Sequence, residues 1–168
     1  MKTYLNALIA LISVMPAVFA HAGNPVVPQY FPMPASGNPP LPFSEAVQLG
    51  DTLYVSGQIG MLPGTRTLAS GGIALEARRA LENIKAILER HGTSLEHVMK
   101  CTVFLADIKE WAAFNEVYLE FFKTNLPARS ALGANGLALG ARVEVECIAS
   151  CHHTNDEPFI AGRPQVSV

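Results

Sequence analysis

The stretch from Ile73 to Arg90 constrains the fold more than any other part of the chain. Ile73, Ala77, Ala80, Leu81, Ile84, Ile87 and Leu88 recur at helical spacing and form one apolar stripe. Glu76, Arg79, Glu82, Lys85 and Glu89 take the opposite side. Gly92 stands where a helix C-terminal glycine belongs, just past Arg90 and His91. A helix with one apolar face must lie on something, and the flanking segments say what.

Ala46–Leu49 and Thr52–Ile59 read as short strands joined at Gly50-Asp51, a hairpin. Pro63-Gly64 marks the loop that follows. Val98–Leu105 reads as a strand, and Asp107 with Glu110 three residues on has the form of a capping box for a second helix. Trp111, Phe114, Tyr118 and Phe121 fall on one face of that helix, which core packing explains without a cofactor. Pro127 ends the unit, Ala128–Ala134 is a strand, Asn135-Gly136 a turn, and Arg142–Ala149 an alternating final strand. The order ββαβαββ predicts an α+β domain, a mostly antiparallel or mixed sheet with two helices on one face. Its other face would be apolar and bare, which points to an oligomer that covers it.

The ends differ from this domain. Residues 1–22 carry Lys2 and a 14-residue apolar run, Ala7–Ala20, and read as a secretory signal cleaved after Ala20 or Ala22. That run is short for a spanning helix, which needs about 20 residues. The expected mature protein is therefore exported, periplasmic or secreted, without stable membrane insertion. Residues 23–42 hold seven of the 12 prolines and predict an extended, mostly unpaired arm, a linker more than a strap through Tyr30 and Phe31. The domain is expected over 43–151, and 152–168 is a polar tail.

The 12 Lys and Arg against 14 Asp and Glu give a net charge of −2, with no footprint for a polyanion, so nucleic acid is not the expected partner. Hydrophobic residues at 49% exclude a disordered chain. Cys101, Cys147 and Cys151 allow either one bridge and a free thiol or three buried thiols. Cys147, Cys151, His152 and His153 resemble a metal set only superficially, and no metal is expected. His91 and His97 read as surface residues. In the last strand Val143, Val145, Cys147 and Ala149 share one face, while Arg142, Glu144 and Glu146 share the other. Glu144 could line a cleft and hold water, and Arg129 could clamp a carboxylate in bidentate fashion. Spacing alone favours a solvated face for the first and a surface ion pair for the second.

A set of short segments changes that balance. Pro42-Phe43-Ser44-Glu45-Ala46, Gly50–Gly60, Ala80–Lys85, Lys100–Leu105, Phe114–Tyr118, Pro127–Ser130 and Val143–Ala149 occur together in this order. In this the chain resembles the reactive-intermediate deaminases, the Rid or YjgF-like proteins once grouped as L-PSP endoribonucleases. The resemblance implies a chorismate-mutase-like fold and a homotrimer with a barrel-like core and clefts between subunits. It implies hydrolysis of enamines and imines, of the 2-aminoacrylate or 2-iminobutanoate type, to 2-oxo acids and ammonia without a cofactor. The implied partner is thus a small imino or enamino acid. By the same resemblance Arg129 binds the substrate carboxylate, Glu144 holds the attacking water, and Ser56, Gly57, Asn115 and Phe43 line the cleft. Phe43 stands where the family often has Tyr, and Ala131 where it often has Cys. The alternative is a non-catalytic member that binds small carboxylates or a protein partner in that cleft.

Overall fold

The computed structural model describes residues 25–34 and 41–151. The signal expected over 1–22 and the tail over 152–168, with His152 and His153, lie outside the described residues, as do 35–40 of the arm. The elements are β1 (Gln29–Pro32), β2 (Ser44–Leu49), β3 (Thr52–Ile59), α1 (Ile73–Arg90), β4 (Val98–Leu105), α2 (Trp111–Phe121), β5 (Ala128–Gly133) and β6 (Val143–Ser150). The strands form one sheet in the order β1-β2-β3-β6-β4-β5. β4 and β5 run parallel, as a crossover through α2 requires, and the other pairs are antiparallel.

The α1 stripe seats on the sheet. Ala77, Ala80, Leu81, Ile84 and Leu88 are fully buried, together with Leu53, Val103, Leu105, Val143 and Val145 from the strands. Truncating any of these leucines to alanine would cost about 2–5 kcal/mol by leaving a cavity. The helix ends as its sequence dictates. Gly92 takes φ +75°, the Thr93 N–H reaches back to the Leu88 carbonyl at 3.0 Å, and the Gly92 N–H donates to the Glu89 carbonyl at 3.2 Å. A Cβ on Gly60 would lie 2.7 Å from the Glu76 Cα, so only glycine lets the end of β3 approach α1 this closely.

Four expectations need correction. Glu76 is not on a solvated side. It is buried, and its Oε2 accepts the Arg142 N–H at 2.9 Å, tying α1 to the start of β6. The capping box is only half formed. Asp107 accepts from the Lys109 N–H at 2.9 Å, but that caps a short 3-10 turn, Ile108–Glu110, and Glu110 instead pairs with Arg142. The arm is not unpaired, because Gln29–Pro32 forms edge strand β1 along β2, with a register shift at Phe31/Pro32 where the proline cannot donate. His91 is not a surface residue. Its Nε2 lies 3.1 Å from Glu45, whose buried carboxylate also takes both its oxygens to Arg90 at 2.5 Å, and the Phe31 ring covers the imidazole at a centroid distance of 4.0 Å. Gln48, Val47 and Ala46 of β2 supply the backbone ladder, so the proline-rich segment is bound by both hydrogen bonds and a side-chain clasp.

Among the described residues both helices lie on one face of the sheet. The other face is uncovered but not uniformly apolar. Tyr54, Ile148, Phe104 and Leu132 alternate there with Lys100, Thr102, Glu144 and Glu146, and the Lys100 Nζ donates to the Ser130 Oγ at 2.7 Å.

The cysteine alternatives resolve to one bridge and one thiol. Cys101 and Cys147 face each other across β4 and β6 and form a disulfide, while Cys151 is free and buried. Burial and the nearby Asp51 push the Cys151 thiol above its ordinary value. The bridge closes a loop with a sequence separation of 46 residues. Replacing both Cys101 and Cys147 with alanine is expected to lower the unfolding free energy by about 2–4 kcal/mol, measured by urea titration.

Candidate active site

Glu144 sits on the uncovered face of β6, and what surrounds it follows from an irregularity in β3. The register between β3 and β6 shifts between Val55 and Gln58. That shift brings Gly57 against Glu144 so closely that a Cβ at 57 would overlap the carboxylate. Ser56 stabilises the irregularity, its Oγ donating to the Ser44 carbonyl at 2.7 Å. The Gln58 Nε2 donates to the carbonyls of Ser56 and Gly57 at 3.1 Å. Burial raises the Glu144 carboxyl above the usual carboxylate range, and the neighbouring Glu146 charge adds to this. The carboxylate opens into a cavity of about 340 Å³, with Gly57 and Phe43 in its walls.

Arg129 occupies a different place. It stands on β5 beneath α2, its guanidinium carbon 4.6 Å from the Tyr118 ring centroid, 5.7 Å from Phe114 and 5.9 Å from Trp111. The aromatic stripe of α2 is thus both core and cradle, for Phe114 and Tyr118 are buried while Trp111 is exposed. Among the described residues no carboxylate forms an ion pair with Arg129. Arg129, Asn115, Tyr118, Leu119, Leu126 and Pro127 line a second cavity of about 310 Å³. Asn115 Oδ1 and Tyr118 OH are buried there without a hydrogen-bond partner. Burial raises the Tyr118 phenol above its ordinary value, with the Arg129 charge opposing, so the hydroxyl stays neutral and able to donate. A cation with aromatic backing beside a phenol O–H able to donate makes a corner suited to an anion, while the Asn115 Oδ1 is suited to accept from an N–H donor.

The chain brings the predicted residues together as two groups. Gly57, Phe43 and Glu144 share one cavity; Asn115 and Arg129 share the other. Ser56 joins neither directly, since its hydroxyl is committed to Ser44. Arg129 pairs with Cys101 across β4 and β5, whereas Glu144 pairs with Phe104 across β4 and β6. Cys101 and Phe104 are three residues apart on one strand and point to opposite faces. Arg129 is therefore on the helix side of the sheet and Glu144 on the open side. No rotamer joins them within one protomer.

Tyr118 is a candidate site residue that sequence reasoning passed over, because its place in an apolar stripe is what a core residue shows. The unpaired phenol became visible only beside Arg129. Among the described residues no group of three or more His, Cys, Asp or Glu is placed to hold a metal ion, and Cys147 is spent in the disulfide.

Comparisons with known proteins show the family. Residues 35–151 match the family model Endoribonuclease L-PSP. The chain is 46% identical over 108 residues to the human 2-iminobutanoate/2-iminopropanoate deaminase, covering 64% of this chain and 79% of that one. It is 42% identical over 115 residues to the protein of that name from Dermatophagoides farinae, covering 68% and 90%. The crystal structure of RidA from the Antarctic bacterium Psychrobacter superposes with a TM-score of 0.64 at 37% identity, covering 72% of this chain and 94% of that one. With the family model matching residues 35–151, which include Phe43, Gly57, Asn115, Arg129 and Glu144, the chain belongs to the endoribonuclease L-PSP family, the family of the Rid imine deaminases.

Proposed function

We propose that this protein hydrolyses 2-imino acids, and the enamines in equilibrium with them, to 2-oxo acids and ammonia, at sites completed between subunits of a homotrimer. The observation that carries the reading is the Arg129 guanidinium, with no carboxylate partner among the described residues, beside the unsatisfied Tyr118 hydroxyl, in a chain similar to named imine deaminases. Arg129 of one subunit binds the substrate carboxylate. Glu144 of a neighbour accepts a hydrogen bond from water and aims its oxygen at the imine carbon. The water oxygen adds to that carbon, the nitrogen takes up protons, and the C–N bond breaks to leave the 2-oxo acid and ammonia. A protonated imine is already electrophilic, so fixed geometry supplies most of the acceleration. The residues assigned to these steps need no resident metal or coenzyme. Ribonuclease activity is disfavoured because Glu144 and Glu146 on the open face would repel a phosphate backbone.

We also propose export of the protein. The 14-residue apolar run Ala7–Ala20 supports it, and so does a disulfide in the sheet, a bond that persists in oxidising compartments. Such a protein would meet imino acids outside the cytoplasm.

Arg129→Ala should lower kcat/KM for 2-iminobutanoate by about 10²–10³-fold, the effect of removing a desolvated charge clamp. Glu144→Gln should also be inactive. Trimers refolded from an equal mixture of these two variants should regain about a quarter of wild-type activity, since one interface in four would combine both native groups. No recovery in proven mixed trimers would refute the shared site.

Two further outcomes follow from Glu144. Its raised pKa places the acid limb of kcat/KM above the ordinary glutamate range, with activity falling as the pH is lowered and the carboxylate gains a proton. The same shift means that its contribution to stability is present below the unfolded pKa and lost as pH rises through the folded one, so at neutral pH Glu144→Gln should hold or raise Tm. Gly57→Ala should push the carboxylate aside, lowering kcat with little change in thermal denaturation, because the group that must yield is a flexible side chain.

A further inference from the structure

The cavity at Glu144 is larger and more apolar than a three-carbon imino acid needs. At about 340 Å³ in the protomer it reaches the size range of sites that bury whole ligands. Its polar walls are Glu144, Gln58 and Arg66; the rest is apolar, chiefly Phe43, Ile59 and Met61, with Met33 and Leu41 from the arm and Leu139 from the turn before β6. Phe43 is 50% exposed and Leu139 59% exposed in the protomer, so two large apolar side chains stand open at the cavity. Leu139 is held there at φ +57°, the one non-glycine residue with positive φ among those described. A left-handed conformation is unfavourable for a branched side chain and usually falls to glycine or asparagine. Here a leucine keeps it, and its side chain forms part of the wall.

From this geometry we infer that the enzyme is selective for 2-imino acids with long aliphatic or aromatic side chains, with Leu139, Met33 and Phe43 setting that selectivity. The inference rests on the imine-hydrolase reading above. The imine carbon must lie beside the water held by Glu144, so the substituent on that carbon enters the space that begins at Glu144. A methyl group leaves most of that space to water, which gains little from the apolar walls away from Gln58, Arg66 and Glu144. An isobutyl or benzyl group displaces that water and covers Phe43, Ile59 and Leu139. The reaction is unchanged: water adds to the carbon, the C–N bond breaks, ammonia leaves, and nothing is oxidised or reduced.

Imines made in the assay by D-amino acid oxidase and oxygen, with catalase present, offer a direct test. The imine carbon is planar, so D-alanine, D-leucine and D-phenylalanine give the imines that the L-amino acids would give. Semicarbazide competition then measures hydrolysis by the full chain. The expected kcat/KM for the leucine- and phenylalanine-derived imines is at least about tenfold above that for the alanine-derived imine, given what buried methylenes contribute to discrimination. Leu139→Ser and Met33→Ser should each reduce this ratio by at least about threefold, the worth of roughly one buried methylene, with the trimer intact by light scattering. Equal efficiency across the series would overturn the selectivity while leaving the hydrolase reading in place. No acceleration of any imine would overturn the hydrolase reading itself. A Leu139→Ser protein that loses its assembly, or loses all substrates equally, would show that the leucine packs against a subunit or supports the turn, and would also overturn the inference.

Discussion

The alternation of side chains along β6 is the constraint from which both fold and site follow. Val143, Val145, Cys147 and Ala149 point into the core beneath α1, and that burial fixes the register of the central strand. Once it is fixed, Glu144 and Glu146 have no choice of face. A slip by one residue would bury two carboxylates and expose the core, so the strand that anchors the hydrophobic interior also aims the carboxylate at the open side. The glycine at 57 and the shifted register of β3 complete the arrangement by making room for it.

Arg129 is held by a different logic. β5 is an edge strand, joined to the sheet only through β4, and α2 packs over its inner face. The guanidinium therefore rests on Tyr118 and Phe114 rather than in bulk water, which favours a planar, delocalised cation over an ammonium. The two groups to which the chemistry is assigned in the proposal, Arg129 and Glu144, sit on opposite sides of one sheet. In the proposed assembly it is the meeting of unlike faces from neighbouring chains, not the fold of a single chain, that makes a catalyst.

Much of the fold was legible because local pattern and tertiary role agree. Ile73–Arg90, Thr52–Ile59 and Val98–Leu105 have the bounds their periodicity predicts, and Gly92 ends its helix with the expected backbone turn. What escaped depends on partners distant in sequence. Glu76 looks like a solvated glutamate until the Arg142 N–H, 66 residues away, reaches it. His91 looks like a helix-end histidine until Glu45 and Phe31 close around it. Proline-rich composition hid β1, since four residues with a terminal proline leave almost no alternation to read. At the site the recognisable segments named Arg129 and Glu144. Only the strand register revealed that one chain keeps them apart, and Tyr118 was masked by the ordinary look of an aromatic stripe.

The clasp of Phe31 over His91 bears on how an exported form would be matured. A peptidase cutting after Ala22 leaves six residues, 23–28, before the first ladder residue, Gln29. Those six residues are the whole margin of tolerance. Trimming that strays beyond Tyr30 would detach the sheet's border, leave the Glu45–His91 pair open to solvent and free Met33 from the cavity wall. If the protein is exported as proposed, the choice of scissile bond is thus bound up with the shape of the cavity that Met33 lines, and ragged processing would yield a mixture of proteins with unequal appetites.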